Sequence, residues 1–156
     1  MRGKKAPRRQ LTPDPKYGNV YVTKLINYIM LDGKKSIARK VVYDAFDIMS
    51  EKTKEEAIDV FEKALKNVMP SLEVKSKRVG GANYQVPMSV RGERRYVLAY
   101  RWLIAAARSK KGRPMAQRLA DELIAASQGE GDAMKKKQDV QRMAEANRAF
   151  AHFARR

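Results

Sequence analysis

The stretch L-E-V-K-S-K-R-V-G-G-A-N-Y-Q-V-P-M-S-V at residues 72–90 decides how this chain is read. Leu72, Val74 and Ser76 alternate with Glu73, Lys75 and Lys77, a period of two. Past Gly80-Gly81 the alternation resumes with Tyr84, Val86, Met88 and Val90. Two such runs around a glycine pair predict a β-hairpin, because glycine accepts the positive φ of a primed turn. Pro87 has no N–H to give a ladder, so that side of its strand should face outward. The apolar inner half of the ribbon should dock on the body, and the polar tip, Lys75 to Tyr84, should project into solvent.

On both sides of the hairpin the period is 3.6. A first helix is predicted over about Val20 to Leu31, with Val22, Leu25, Ile26, Ile29 and Met30 inward and Gly33 ending it. A second should span Ser36 to Ser50, burying Ala38, Val41, Val42, Ala45, Ile48 and Met49. Thr53 and Glu56 have the spacing of a capping box for a third, which Pro70 stops. Its inward face is Ala57, Val60, Phe61, Ala64, Leu65 and Val68. A fourth helix, about Gly92 to Ser109, contains the apolar run around Trp102, so Trp102 is expected in the core. A fifth follows Pro114, with Leu119, Ala120, Leu123 and Ile124 inward, and a sixth runs from Asp132 to about His152. The fold class is therefore mainly α. One domain of about six helices, residues 17–156, carries an extended hairpin arm at 72–90 between its third and fourth helices. Residues 1–16, with three prolines and no apolar period, should form a basic N-terminal arm that is disordered in the free protein.

The chain's 156 residues suffice for one domain with a real core. Its net charge is +17, from 34 Lys and Arg against 17 Asp and Glu. A compact domain with that excess repels itself unless it sits beside a polyanion. No membrane partner is expected: the longest apolar run is far shorter than the roughly 20 residues a spanning helix needs. The basic N-terminus is followed by no apolar stretch of the secretory type. There is no cysteine, so disulfides and Cys-ligated zinc are excluded. The single histidine, His152, has no partners for a catalytic triad or an HExxH site. No phosphate-cradling glycine motif is present. No catalytic residue, cofactor or metal is expected, and the chain reads as a binding protein rather than an enzyme.

The positive charge falls into four groups. The arm holds Arg2, Lys4, Lys5, Arg8, Arg9 and Lys16 against one acid, Asp14. Lys34, Lys35, Arg39 and Lys40 lie where the first two helices meet. The hairpin and its exit hold Lys75, Lys77, Arg78, Arg91, Arg94 and Arg95. Arg108, Lys110, Lys111, Arg113 and Arg118 follow the fourth helix without an acid among them. A solvated face is the ordinary reading of any one group. Four in one small domain, with acids gathered instead at Glu55, Glu56, Asp59, Asp121 and Glu122, point to a one-sided phosphate-binding surface. The candidate RNA-binding set takes all of these cations except Lys16, Lys40 and Arg91, together with Arg101, which interrupts the fourth helix's apolar run. Tyr84 offers either a face for base stacking or a cross-strand packing residue.

Three blocks make the sequence specific: V-G-G-A-N-Y-Q-V-P at Val79 to Pro87, L-D-G-K-K at Leu31 to Lys35, and K-K-x-D-V-x-R-M-A-E-A-N-R-A-F-A-H from Lys136 to His152. In this order and spacing, over about residues 10 to 153, the chain resembles the bacterial-type family of the seventh protein of the small ribosomal subunit. The resemblance implies a structural ribosomal protein of the cytoplasm. Such a protein binds the 3′ major (head) domain of the small-subunit rRNA and nucleates assembly of the head. It lies near the exit-site tRNA and mRNA channel. Arg78, Val79, Gly80, Gly81, Ala82, Asn83 and Tyr84 of the tip, with Arg142, Asn147 and Arg148 of the last helix, would face that channel. Neighbouring head and platform proteins would be further partners. A DNA-architectural protein, with Pro87 as a wedge, and an RNA-modifying enzyme are the competing classes. Affinity for a folded rRNA junction against duplex DNA at equal salt separates the first from the family reading. The second lacks any catalytic constellation.

Overall fold

The computed structural model describes residues 3, 6 and 9–155, the side chain of Arg155 excepted. Its elements are α1 (Val20–Ile29), α2 (Lys35–Thr53), α3 (Ala57–Val68), β1 (Leu72–Val79), β2 (Ala82–Ser89), α4 (Glu93–Ser109), α5 (Met115–Ser127), α6 (Asp132–Ala146) and a 3₁₀ helix, Arg148–Arg155. The helical body with one antiparallel hairpin between α3 and α4 is the architecture expected from the periodicities.

α5 packs on α2, α3 and α4 and so runs through the middle of the body. Its Leu119, Ala120 and Leu123 are fully buried among Phe46, Phe61, Tyr100 and Leu103. Tyr100 keeps its hydroxyl satisfied by donating to the Tyr21 carbonyl at 3.1 Å. Burial, before the neighbouring tyrosines, pushes that phenol far above its ordinary pKa. Asn19 caps α1 by accepting the Tyr21 amide at 2.8 Å.

Several details differ from the sequence reading. α1 stops at Ile29, two residues early, because Met30 (φ −53°, ψ 133°) leaves the helical conformation; Asp32 (φ 52°) and Gly33 (φ 72°) then turn the chain left-handed, and Leu31 is 63% exposed. Thr53 does not open α3. It ends α2, where its hydroxyl back-bonds to the Met49 carbonyl at 2.8 Å, and Lys54 (φ 57°) forms the left-handed cap. Phe46, absent from the expected inward set, is wholly buried. Trp102 is only half-buried on the flank of α4; the centre belongs to Tyr100 and Leu103. The sixth helix ends at Ala146 rather than near His152, and the chain continues as the 3₁₀ helix.

In the hairpin, Gly80 (φ 58°) and Gly81 (φ 88°) form the two-residue turn, both in the region a primed turn demands. The register pairs Val74 with Pro87, Lys75 with Val86, Glu73 with Met88 and Lys77 with Tyr84. Because opposed residues share a face, Val74 and Val86 point to opposite faces, so the two apolar runs do not make one docking face. The residues buried in the ribbon and its exit are Glu73, Val86, Pro87 and Val90. Glu73 ties the ribbon to α4: Arg94 donates to it from Nη2 at 3.0 Å and Nε at 3.2 Å, and Lys75 lies 3.0 Å away. Burial pushes the Glu73 carboxyl up, yet the hydrogen bonds from Lys75 and Arg94 outweigh it and hold the carboxyl below its ordinary value.

The segment from Thr12 onward is stitched to the helices. Thr23 donates to the Thr12 carbonyl at 3.0 Å. Asp14, 3% exposed, accepts from the Tyr43 hydroxyl at 2.9 Å and from the Lys16 and Tyr17 amides. The acid that looked isolated in a basic arm is a buried hydrogen-bond hub between the entry segment and α2.

Candidate nucleic-acid interface

The basic groups separate into cations that hold the protein together and cations that face solvent. Arg2, Lys4, Lys5 and Arg8 lie outside the described residues; Arg9 is exposed. Lys16 is engaged at 3.0 Å with Asp47, whose hydrogen bond raises its pKa.

Two groups far apart in sequence meet at one end of the body. Arg108, in the last turn of α4, donates to the Ile29 carbonyl at 3.2 Å and so joins the end of α4 to the end of α1. Arg118 of α5 donates to the Lys110 carbonyl and fixes the α4–α5 loop. Between the two turns lies a groove of about 500 Å³ lined by Ile29, Leu31, Asp32, Lys34, Ile37, Ala38, Val41, Arg108, Met115 and Arg118. Leu31 and Ile37 (59% exposed) stand at its edge. Lys34 lines the groove, and Lys35 and Lys40 of α2 and Lys111 of the α4–α5 loop are exposed. Arg39 is half-buried, with its Nε enclosed and without a hydrogen-bond partner. Apolar surface rimmed by cations suits a ligand that is itself part apolar and part anionic.

The loop that carried no acid in sequence acquires two from α5. Lys110 Nζ lies 2.7 Å from Oε2 of Glu122, whose side chain is fully buried. The other carboxylate oxygen of Glu122 accepts the Ala133 amide at 2.9 Å, in the first turn of α6. Arg113 pairs with Asp121 at 3.3 Å, and Lys52 reaches the same carboxylate from α2 at 2.6 Å. The Lys52 hydrogen bond, against burial, lowers the Asp121 pKa. Lys110 is thus anchored on a buried carboxylate, Arg113 stays 65% exposed in a surface pair, and Lys111 between them is open.

The hairpin group divides likewise. Lys75 and Arg94 are held by Glu73, and Arg95 Nε donates to the Pro70 carbonyl at 3.1 Å. Arg78 and Arg91 are exposed, as is Arg101 on α4. Gly80, Gly81, Ala82 and Asn83 of the tip are exposed and Val79 is half-buried. α6 packs against both strands, and the 3₁₀ helix that follows it packs against β2. Arg142 of α6 pairs loosely with Asp139 (3.4 Å), Asn147 bonds back to the Met143 carbonyl at 2.8 Å, and Arg148 is exposed. Tyr84 packs on Phe150 and Phe153, with ring centroids 5.0 Å and 5.4 Å away. Neither phenylalanine was among the expected site residues; their spacing of three, which a 3₁₀ helix places on one edge, was the signal available.

No group of three or more potential metal-ligating side chains occurs among the described residues. No helix there is long and apolar enough to cross a membrane. A helical body with a basic hairpin and two basic turns around one groove defines a protein of the nucleic-acid-binding structural class. The model of the ribosomal protein S7p/S5e family matches residues 1–148, and the chain belongs to that family. It is 59% identical over 153 residues to small ribosomal subunit protein uS7 of Thermotoga maritima, covering 98% of this chain and 99% of that one. The uS7 of Moorella thermoacetica is 58% identical over 149 residues, 96% of each chain. That of Polynucleobacter necessarius is 56% identical over 152 residues, 97% of each. The chain is thus a non-enzymatic, structural protein of the small ribosomal subunit, and works in the ribosome of the cytoplasm.

Proposed function

We propose that the chain binds the 3′ major domain of the small-subunit rRNA and nucleates assembly of the subunit head. The hairpin tip, in this reading, lies with the end of α6 beside the exit-site tRNA and the mRNA. Head and platform proteins complete its set of partners. The observation that carries the rRNA reading is the meeting of the α1–α2 and α4–α5 turns around one cation-rimmed groove through Arg108 and Ile29. Asp44, Glu51, Glu56 and Asp59 are exposed on α2, α3 and the turn between them, interleaved with exposed Lys52, Lys54 and Lys63, and this mixed surface suits phosphate less than the mainly basic α1–α2 and α4–α5 turns. The tip reading is supported by Arg78 and Asn83 standing exposed around a glycine turn that admits close backbone approach.

Reconstitution of small subunits tests both parts. Replacing Arg78 to Asn83 by an Asn-Gly turn should leave the protein able to enter subunits while altering exit-site tRNA retention and frame maintenance. Normal retention and frame maintenance would contradict the channel role. Failure of the intact protein to protect head-domain rRNA in the same assay would contradict the rRNA role.

A further inference from the structure

The segment after α6 lies on the hairpin face that carries Tyr84 and Lys77. Tyr84 has a ring that could stack on a base, and it packs instead on Phe150 and Phe153 at tilts of 54° and 43°. On the same face of the ribbon, paired opposite Tyr84, Lys77 donates from Nζ to the Phe153 carbonyl at 2.9 Å. A stacking residue and a phosphate-seeking cation are thus both engaged by one segment of the same chain.

That segment is poorly suited to stay. It forms a 3₁₀ helix of eight residues, whereas such runs beyond three or four residues are uncommon. Its sequence, R-A-F-A-H-F-A-R-R from Arg148 to Arg156, contains three arginines and no carboxylate side chain. It offers the basic hairpin no side-chain counter-charge, and its own charge is drawn to any phosphate that approaches.

We propose that the C-terminal segment is a cover: it occupies the Tyr84–Lys77 face in the RNA-free protein and leaves it when a single strand binds at the tip. A base then takes the place of the phenylalanine rings on Tyr84, and a phosphate replaces the Phe153 carbonyl at Lys77. Arg148 and the freed segment move onto the strand's backbone. The cover lowers apparent affinity by the fraction of molecules in which it is open. It thereby favours a strand already held close by other contacts over stray RNA. This rests on the tip reading above, and the experiment separates the two.

The full-length protein is titrated with a short single-stranded oligouridylate, beside variants carrying Phe150→Ala with Phe153→Ala, or Arg78→Ala. The double variant keeps every charge and loses only the cover's rings. It should bind about tenfold tighter if the cover is closed about nine-tenths of the time. Equal or weaker binding, with the hairpin-dependent loss on Arg78→Ala intact, overturns the cover and leaves the tip reading standing. Binding indifferent to Arg78→Ala, with the double variant no tighter, overturns both. NMR on the unmodified chain gives a second measure should the double variant fold poorly. The Tyr84–Phe150 and Tyr84–Phe153 ring contacts should vanish on saturation with the oligonucleotide; their persistence in the saturated complex overturns the proposal.

Discussion

Lys110 and Glu122 form an ion pair of 2.7 Å in which the carboxylate is fully buried and the ammonium reaches it from a surface loop. The pair also positions α6, since Glu122 accepts the Ala133 amide, and the neighbouring Gly131 sits where a Cβ would come within 2.9 Å of Oε1 of Glu122. Lys110→Ala should therefore destabilise the fold by about 2–3 kcal/mol, because it leaves a buried carboxylate without its cation. Lys111→Ala should be neutral. Urea unfolding of the two variants side by side checks this, and equal midpoints would remove Lys110 from the core.

Gly131→Ala meets both a steric and a backbone obstacle, as Gly131 has φ 94°. A loss of about 1–3 kcal/mol is expected. An accompanying downfield shift or broadening of the Ala133 amide in NMR would show the α6 cap disturbed; a wild-type spectrum and stability would mean the turn relaxes freely.

The Glu73 carboxyl titrates below its ordinary value in the folded protein. A depressed folded pKa contributes stability that is present above the unfolded pKa and lost as pH falls through the folded one. The stability difference between the natural chain and Glu73→Gln should accordingly be largest at neutral pH and shrink as pH falls below the ordinary carboxylate range. Thermal melts across that window test it; a difference independent of pH would show that the Arg94 and Lys75 contacts contribute nothing as charges.

Much of this is legible in the sequence alone. The hairpin with its glycine turn, the order of helices and most inward faces follow from hydrophobic period. Most of what escaped was set by contacts between distant residues, and the rest by local backbone turns. Phe46 lies at the right spacing for the α2 stripe, but only its packing with Phe61 and Tyr17 makes it central. Thr53 satisfies a capping pattern that the left-handed turn at Lys54 overrides. Lys110 and Lys111 are alike in sequence, and only the fold, by bringing Glu122 beneath one of them, separates a structural cation from an open one. Trp102 looked central from its apolar neighbours and lies half-buried instead. Trp102→Ala should thus cost less than Leu103→Ala, for which about 2–5 kcal/mol is expected at a fully buried site. A larger loss at Trp102 would reverse that assignment.

The central claim is that exposed charge at the α1–α2 and α4–α5 turns binds rRNA. Its most direct test is the salt dependence of affinity for a folded head-domain rRNA fragment, for the natural chain and for a variant with Lys34, Lys35 and Lys111 all changed to Ala. With about eight phosphates neutralised, the natural chain should show a slope of log affinity against log salt of about −6 to −7. The variant should melt at the same temperature, bind at least about tenfold more weakly and have a slope shallower by about 2–3. A slope near −1 to −2 for the natural chain, or an unchanged slope and affinity in the variant, would contradict the account.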